Sequence, residues 1–368
     1  MASGLRVGVV APPWYPIPPS GYGGIEWLCY WLVEGLVARG HEVVLVAAGE
    51  DHTSARLARS YEVPPTARLG QALPELVHAA TAYEALRVYD LDLVHDHSAA
   101  GPLLAPARPV PTVVTAHGPV DGELGEYYRH LSGAIDLVAI SDDQRRAAPD
   151  LPWVATVHNA IPVAEYPFEA DKDDFCLFLG RMSPDKGPDL AIAAARAAGR
   201  PLVIAGKCNE ESEKRFFEER VAPLLGPDID WIGEADAETK KRLLARAWCL
   251  VFPICWREPF GIVMAEAQAC GTPVVTLARG SAPEVVEHGV TGFVCSEPKE
   301  LPAAIERAGE LDRGACRRRA EELFDVPVMV EAYERVYRDV VAERRARQDR
   351  PAPSADAGRT AMGDEVTV

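Results

Sequence analysis

A pattern of apolar strand, glycine-marked loop, amphipathic helix and second strand starts at residue 5 and starts afresh at residue 175. Apart from Arg6, residues 5–11 are an apolar run, as expected of a strand covered on both faces of a parallel sheet. Pro12, Pro13, Pro16, Pro18 and Pro19 then forbid regular structure, and the stiff loop runs into Ser20-Gly21-Tyr22-Gly23-Gly24. A helix follows with Ile25, Leu28, Leu32 and Leu36 on one face and Gly40 as its stop, and residues 41–48 read as the second strand. The glycines let backbone N–H groups approach a phosphate or sugar, although a plain tight turn asks for the same residue. This loop departs from the dinucleotide fingerprint, because Gly21-x-Gly23-x-x-Glu26 puts a carboxylate where a third glycine should pack.

Residues 91–95, 110–116, 135–141 and 153–158 read as further strands, and several end in histidine: His95 and His97, His117, and His158. Ligands of open α/β sheets collect at the carboxyl ends of strands, so these imidazoles share one rim. His95 and His97 could chelate a metal, but no third ligand stands nearby, and hydroxyl binding or packing is the alternative role. Residues 161–174 read as a linker. The second half opens with a strand at 175–179 and the loop Gly180-Arg181-Met182-Ser183-Pro184-Asp185-Lys186-Gly187, which sets two cations at a strand end. A helix at 190–198, a strand at 201–205, a helix at 211–225, a strand at 230–232 and a helix at 237–245 follow.

Residues 257–271 carry the strongest local signal. They lie between strand candidates at 249–253 and 273–276, with Pro259 in the loop, a helix over 261–269 and Gly271 just past its end. A helix opening there aims unpaired N–H groups and the positive end of its dipole at the loop, which favours an anion. Glu258 and Glu266 flank it and are suited to accepting hydrogen bonds from hydroxyl groups. A molecule with both phosphate and sugar fits that bracket. The bland alternatives make Glu258 a solvated loop residue and Glu266 a first-turn acid that stabilises the dipole.

The chain's 368 residues suffice for two domains, and its net charge of -17 argues against nucleic acid or an anionic membrane surface as partner. No apolar run reaches spanning length, and the start of the chain leaves no room for a signal peptide. The eight cysteines include no C-x-x-C, so reduced, buried thiols in a cytoplasmic protein are expected. Residues 301–324 read as one helix, residues 328–345 as an amphipathic helix through Met329, Tyr333, Val336, Tyr337 and Val340, and residues 346–368 as a disordered tail.

Taken together, Glu258…Glu266, Gly-Tyr-Gly-Gly-Ile-Glu at 21–26, the loop at 180–187, Val-Thr-Ala-His-Gly at 114–118 and Ala-Cys-Gly-Thr-Pro-Val-Val after the second glutamate resemble the retaining glycosyltransferases of family 4. The resemblance covers residues 5–345 and rests mainly on the E-x7-E motif. It implies an α/β, GT-B fold: a Rossmann-like acceptor-binding domain over 1–165 faces a Rossmann-like nucleotide-sugar-binding domain over 166–327 across a cleft. The helix 328–345 would pack back on the first domain.

By the same resemblance Arg181 and Lys186 hold the donor diphosphate, Glu266 the ribose and Glu258 the sugar hydroxyls. Phe260, Gly261, Ile262 and Val263 present backbone N–H groups, Gly21, Gly23 and Gly24 close on the diphosphate, and His117 approaches the transferred sugar. No metal or other cofactor is expected; Asp90-x-Asp92 and Asp228-x-Asp230 abut strand starts and read as turn residues. The co-substrate is a nucleotide-sugar, with UDP favoured over GDP, and the acceptor is a natural product, lipid-linked sugar or oligosaccharide. In the proline-rich segment 12–20, Trp14, Tyr15 and Ile17 point to a bulky or partly apolar acceptor, with surface packing of the same residues as the alternative. The alternatives are an NAD-dependent oxidoreductase and a non-catalytic nucleotide-sugar-binding protein.

Overall fold

The computed structural model describes residues 4–21, 23–50 and 52–348. Among these, every strand pairs in parallel, in two sheets. The first contains β1 (Arg6–Val10), β2 (Glu42–Ala48), β3 (Arg56–Tyr61), β4 (Leu93–Asp96), β5 (Thr112–Ala116), β6 (Asp136–Ala139) and β7 (Trp153–Thr156), in the order 3-2-1-4-5-6-7. The second contains β8 (Cys176–Leu179), β9 (Leu202–Ala205), β10 (Ile229–Trp231), β11 (Cys249–Phe252), β12 (Val274–Leu277) and β13 (Gly292–Cys295), in the order 10-9-8-11-12-13. Central strands such as β8 and β11 are buried at every residue, which is why they read as unbroken apolar runs.

Each sheet reverses its winding once, between β1 and β4 and between β8 and β11. A crevice opens at the carboxyl ends of strands at such a point. The glycine loop and His97 follow β1 and β4, whereas Arg181 and Glu258 follow β8 and β11. The topology therefore carries the candidate residues to the two switch points.

The lobes are joined twice, side by side. The chain crosses at Ile161 and returns at Phe324–Val326, where Ile161 N–H donates to Phe324 O (2.9 Å) and Val326 N–H to Ile161 O (3.2 Å). Val163 N–H also donates to the Asp325 carboxylate at 3.1 Å. The final helix, Val326–Gln348, then buries Met329, Val330, Tyr333, Val336, Tyr337 and Val340 against Leu28, Leu32 and Leu36 of the first lobe.

Several elements differ from the sequence reading. Strand β3, absent from the sequence reading, pairs with β2 at the sheet edge, and its Arg56 and Arg59 hid the pattern because an edge strand is charged where a central one is apolar. The expected helix over 301–324 is two, Leu301–Arg307 and Arg313–Leu323. Asp312 starts the second by accepting from Gly314 N–H at 2.8 Å, and Gly309 between them lies against the Trp248 indole. The helix over 211–225 keeps regular α geometry only to Phe216, after which a wider turn and Pro223 end it. The final helix takes in residues 346–348, and the remainder of the expected tail, 349–368, lies outside the described residues.

Tyr337 is fully buried, and its hydroxyl bonds His95 Nδ1 at 2.7 Å. Tyr337→Ala should lower unfolding free energy by about 3–5 kcal/mol, as truncation of a large buried aromatic does. Tyr337→Phe, which leaves the imidazole nitrogen unpaired, should cost about 1–3 kcal/mol. Urea denaturation followed by circular dichroism measures both.

Candidate active site

The loop after β11 turns into the helix Ile262–Ala269 at Gly261, whose φ of 73° lies in the left-handed region. The first N–H groups of that helix have no intrahelical acceptor, and they open toward the loop. Lys186 stands beside it, with Nζ donating to Glu258 Oε2 at 2.5 Å and lying 5.1 Å from the Trp256 ring centre. Trp256 Nε1–H donates to the same oxygen at 2.9 Å. Glu258 is buried, yet no described residue donates to its Oε1. Glu266 repeats the arrangement: Tyr166 OH and Lys240 Nζ donate to Oε1 at 2.7 and 2.6 Å, and Oε2 has no donor among the described residues. Both motif carboxylates are thus held through one oxygen and can accept from a ligand hydroxyl through the other. Glu266 lies past the first turn of its helix, so it is not the terminal, dipole-stabilising acid of the bland reading.

The loop after β12 braces this motif from behind. Ser281 N–H donates to Glu258 O at 2.9 Å and Ser281 Oγ to Phe260 O at 2.8 Å. Gly280, at φ 56°, passes so close to the Glu258 backbone that a Cβ there would collide with it. The Phe260 ring is buried against Phe324 (5.7 Å between ring centres) and its carbonyl is taken by Ser281, so only its backbone N–H can serve a ligand. Ile262 and Val263 are half-buried.

Arg181 lies on the same loop as Lys186 and is held loosely, 3.3 Å from Glu213 and 3.5 Å from Asp185. Across the cleft Gly23 (φ 144°) precedes the helix Gly24–Ala38, and the space around the Cα atoms of Gly21 and Gly24 is open. Glu26, in the first turn of that helix, is buried, and burial raises its carboxyl to about 7. Trp14 and Ile17 are packed into the first lobe, Ile17 in its main core, so they do not line an acceptor site as expected.

His117 Nε2 is 2.9 Å from His97 Nδ1, and its backbone is fixed by the Gln144 amide, which donates to Ala116 O and Gly118 O at 2.9 and 2.8 Å. Burial depresses the His117 imidazole to about 4 and moves those of His95 and His97 well down. His95 is not available as a chelator: Tyr337 OH occupies Nδ1, and Thr115 Oγ1 occupies Nε2 at 2.8 Å. Asp90 and Asp92 pair with Arg6, and Asp228 pairs with Arg196.

Contacts close the cleft at one side. Glu284 of the second lobe accepts from Asp142 and Asp143 N–H and from His158 Nε2, the last at 2.6 Å. Arg257, next to Glu258, pairs with Asp143 at 2.6 Å. Tyr166, Lys240, Trp256, Gln144 and Glu284 were not singled out from the sequence. Trp256 and Arg257 adjoin the motif and could have been, whereas Tyr166 and Lys240 stand 100 and 26 residues from Glu266 with no local signal.

Comparison with known proteins falls on the same two halves. The description "Glycosyltransferase Family 4" matches residues 22–141 and "Glycosyl transferases group 1" matches residues 165–322. The glycogen synthase of Mycobacterium tuberculosis is 28% identical over 401 aligned positions, covering 91% of this chain and 95% of that protein. AviGT4, a glycosyltransferase involved in avilamycin A biosynthesis, superposes with a TM-score of 0.71 at 28% identity, over 92% of this chain and 98% of its own. Anabaena Alr3699/HepE, solved with UDP and glucose, gives 0.69 at 18% identity over 91% of this chain and all of its own (100%). The chain belongs to the family 4-like glycosyltransferases of GT-B fold. Among the described residues no helix is long and apolar enough to cross a membrane.

The raised Glu26 carboxyl gives a pH-dependent prediction. Between pH 4.5 and about 7 the folded chain keeps a proton that the unfolded chain has released, so this group's contribution to stability falls as pH rises through that window. Glu26→Gln should therefore be more stable than the parent above pH 7, by up to roughly 3 kcal/mol, with the difference shrinking toward pH 4.5. Denaturant titrations at a series of pH values check this.

Proposed function

We propose that the protein transfers a sugar from a UDP-sugar to an acceptor hydroxyl with retention of anomeric configuration and without a metal ion. The observation that carries this reading is the pair of half-satisfied carboxylates, Glu258 and Glu266, set on either side of a helix N-terminus with Lys186 between loop and helix. Breaking the anomeric C–O bond leaves negative charge on a diphosphate. Lys186, Arg181 and the N–H groups of residues 260–263 meet that charge with dipoles already in place, so little reorganisation is needed during reaction. Lys186 gives one N–H to Glu258 Oε2, and in this reading its remaining N–H groups meet the incoming diphosphate.

In this reading Glu258 Oε1 takes a hydroxyl of the sugar and Glu266 Oε2 a hydroxyl of the ribose. Gly21, Gly23 and Gly24 close over the diphosphate, and His117 reaches the sugar from the first lobe. A donor phosphate oxygen accepts the acceptor's proton on the face the leaving group vacates, which yields retention without a carboxylate base. Uracil is favoured because HepE, of the same fold, was solved with UDP and glucose. AviGT4's part in avilamycin A biosynthesis favours a natural product as acceptor.

A thermal-shift screen of UDP-, GDP-, ADP- and TDP-sugars should give its largest stabilisation with a UDP-sugar, and EDTA should leave turnover unchanged. A largest shift with another base, or loss of activity in chelator, contradicts the corresponding part of the proposal. Arg181→Ala should lose on the order of 10²–10³ in turnover, as when one oxyanion donor is removed; near-normal turnover would take Arg181 out of the mechanism.

A further inference from the structure

His97 is buried to within 7% of full coverage, and its ring lies 3.9 Å, centre to centre, from that of His95. His95 is itself pinned at both nitrogens, by Tyr337 OH of the final helix and by Thr115 Oγ1, which in turn bonds Tyr333 OH at 2.8 Å. The His97 ring therefore rests on one that cannot turn. Its Nδ1 faces His117 Nε2, whereas its Nε2 is buried with no hydrogen-bond partner. No described residue hydrogen-bonds His117 Nδ1.

One proton must lie between the two rings, and it can belong to either. If His117 Nε2 carried it, His97 would be protonated at Nε2, leaving a buried N–H without an acceptor. If His97 Nδ1 carries it, only a bare lone pair is buried unpaired. Orphaned buried N–H groups are the rarer and costlier case. Which nitrogen of a histidine is protonated follows from the hydrogen bond that the other makes.

We infer that His97 is a positioning residue for the transfer reaction: it donates Nδ1–H to His117 Nε2 and so fixes His117 as the Nδ1–H tautomer, which offers a donor to an oxygen of the bound sugar. The inference rests on the proposed contact between His117 and the sugar. Burial keeps all three imidazoles neutral near pH 7, so the tautomer and not the charge is the variable that His97 controls. The final helix enters the site through the same stack, from Tyr337 to His95 to His97.

The first test needs no substrate. Long-range proton–nitrogen spectra of the full-length protein labelled with ¹⁵N-histidine, with His117 assigned from a His117→Gln sample, should show His117 protonated at Nδ1. Protonation at Nε2 overturns the inference. The second test uses the nucleotide-sugar that the stability screen selects and follows release of the nucleoside diphosphate. His97→Leu should lower kcat on the order of 10²-fold, as loss of alignment does, with KM for the donor within about twofold because no binding group is lost. His97→Asn, whose amide can donate from the Nδ1 position, should recover most of the rate, and His97→Gln, which reaches only the Nε2 position, should not. Normal kcat in His97→Leu beside a crippled His117→Ala overturns the inference alone. Normal kcat in His117→Ala overturns the reading of His117 on which it rests.

Discussion

The pairing of the Lys186 ammonium with the Glu258 carboxylate, beside the N-terminus of the helix Ile262–Ala269, organises the second lobe. Lys186 reaches its place because the loop after β8 and the loop after β11 meet at the sheet's reversal point, and there it donates to the buried Glu258 carboxylate. A buried carboxylate without such a partner is costly, so the two side chains depend on each other. Trp256 completes the arrangement by donating to the oxygen that Lys186 already occupies, which leaves the other oxygen free. Tyr166 and Lys240 do the same for Glu266. The motif's two acids are spaced so that a short loop and about one helical turn separate them, and each has its own pair of donors.

The lobes meet through contacts of two kinds. Where the chain crosses between the lobes and returns, the site of any hinge, backbone hydrogen bonds tie Ile161 to the Phe324–Val326 segment. At the mouth, Glu284 and Arg257 bind the start of the helix Asp142–Ala147 through groups partly open to solvent. Such pairs contribute only about 0–1 kcal/mol each, so they can break and re-form without threatening the fold. Tyr166 sits just past the hinge and bonds Glu266, which links the linker to the floor of the site.

Much of the fold was legible in the chain itself, for a physical reason: parallel strands buried on both faces leave apolar runs, and glycines mark the loops at their ends. The E-x7-E spacing, the cations after β8 and the packing of the final helix's Tyr333 and Tyr337 all followed from such patterns. Strand β3 did not, because it lies at the sheet edge and carries Arg56 and Arg59 where a central strand is apolar. The break near Asp312 did not, because the Trp248 ring that lies against Gly309 comes from far along the chain. Trp14 and Ile17 read as acceptor contacts because proline-rich loops are normally exposed; here the loop folds under and buries them. The donors that hold Glu266 were invisible for the same reason as any long-range contact.

The most direct test of the account is a crystal structure with an intact nucleotide-sugar bound. The account predicts the diphosphate between Lys186, Arg181 and the first turn of the helix Ile262–Ala269, with Glu258 Oε1 on a sugar hydroxyl and Glu266 Oε2 on the ribose. A nucleotide-sugar bound elsewhere, with those two oxygens and Lys186 untouched by it, would contradict the account.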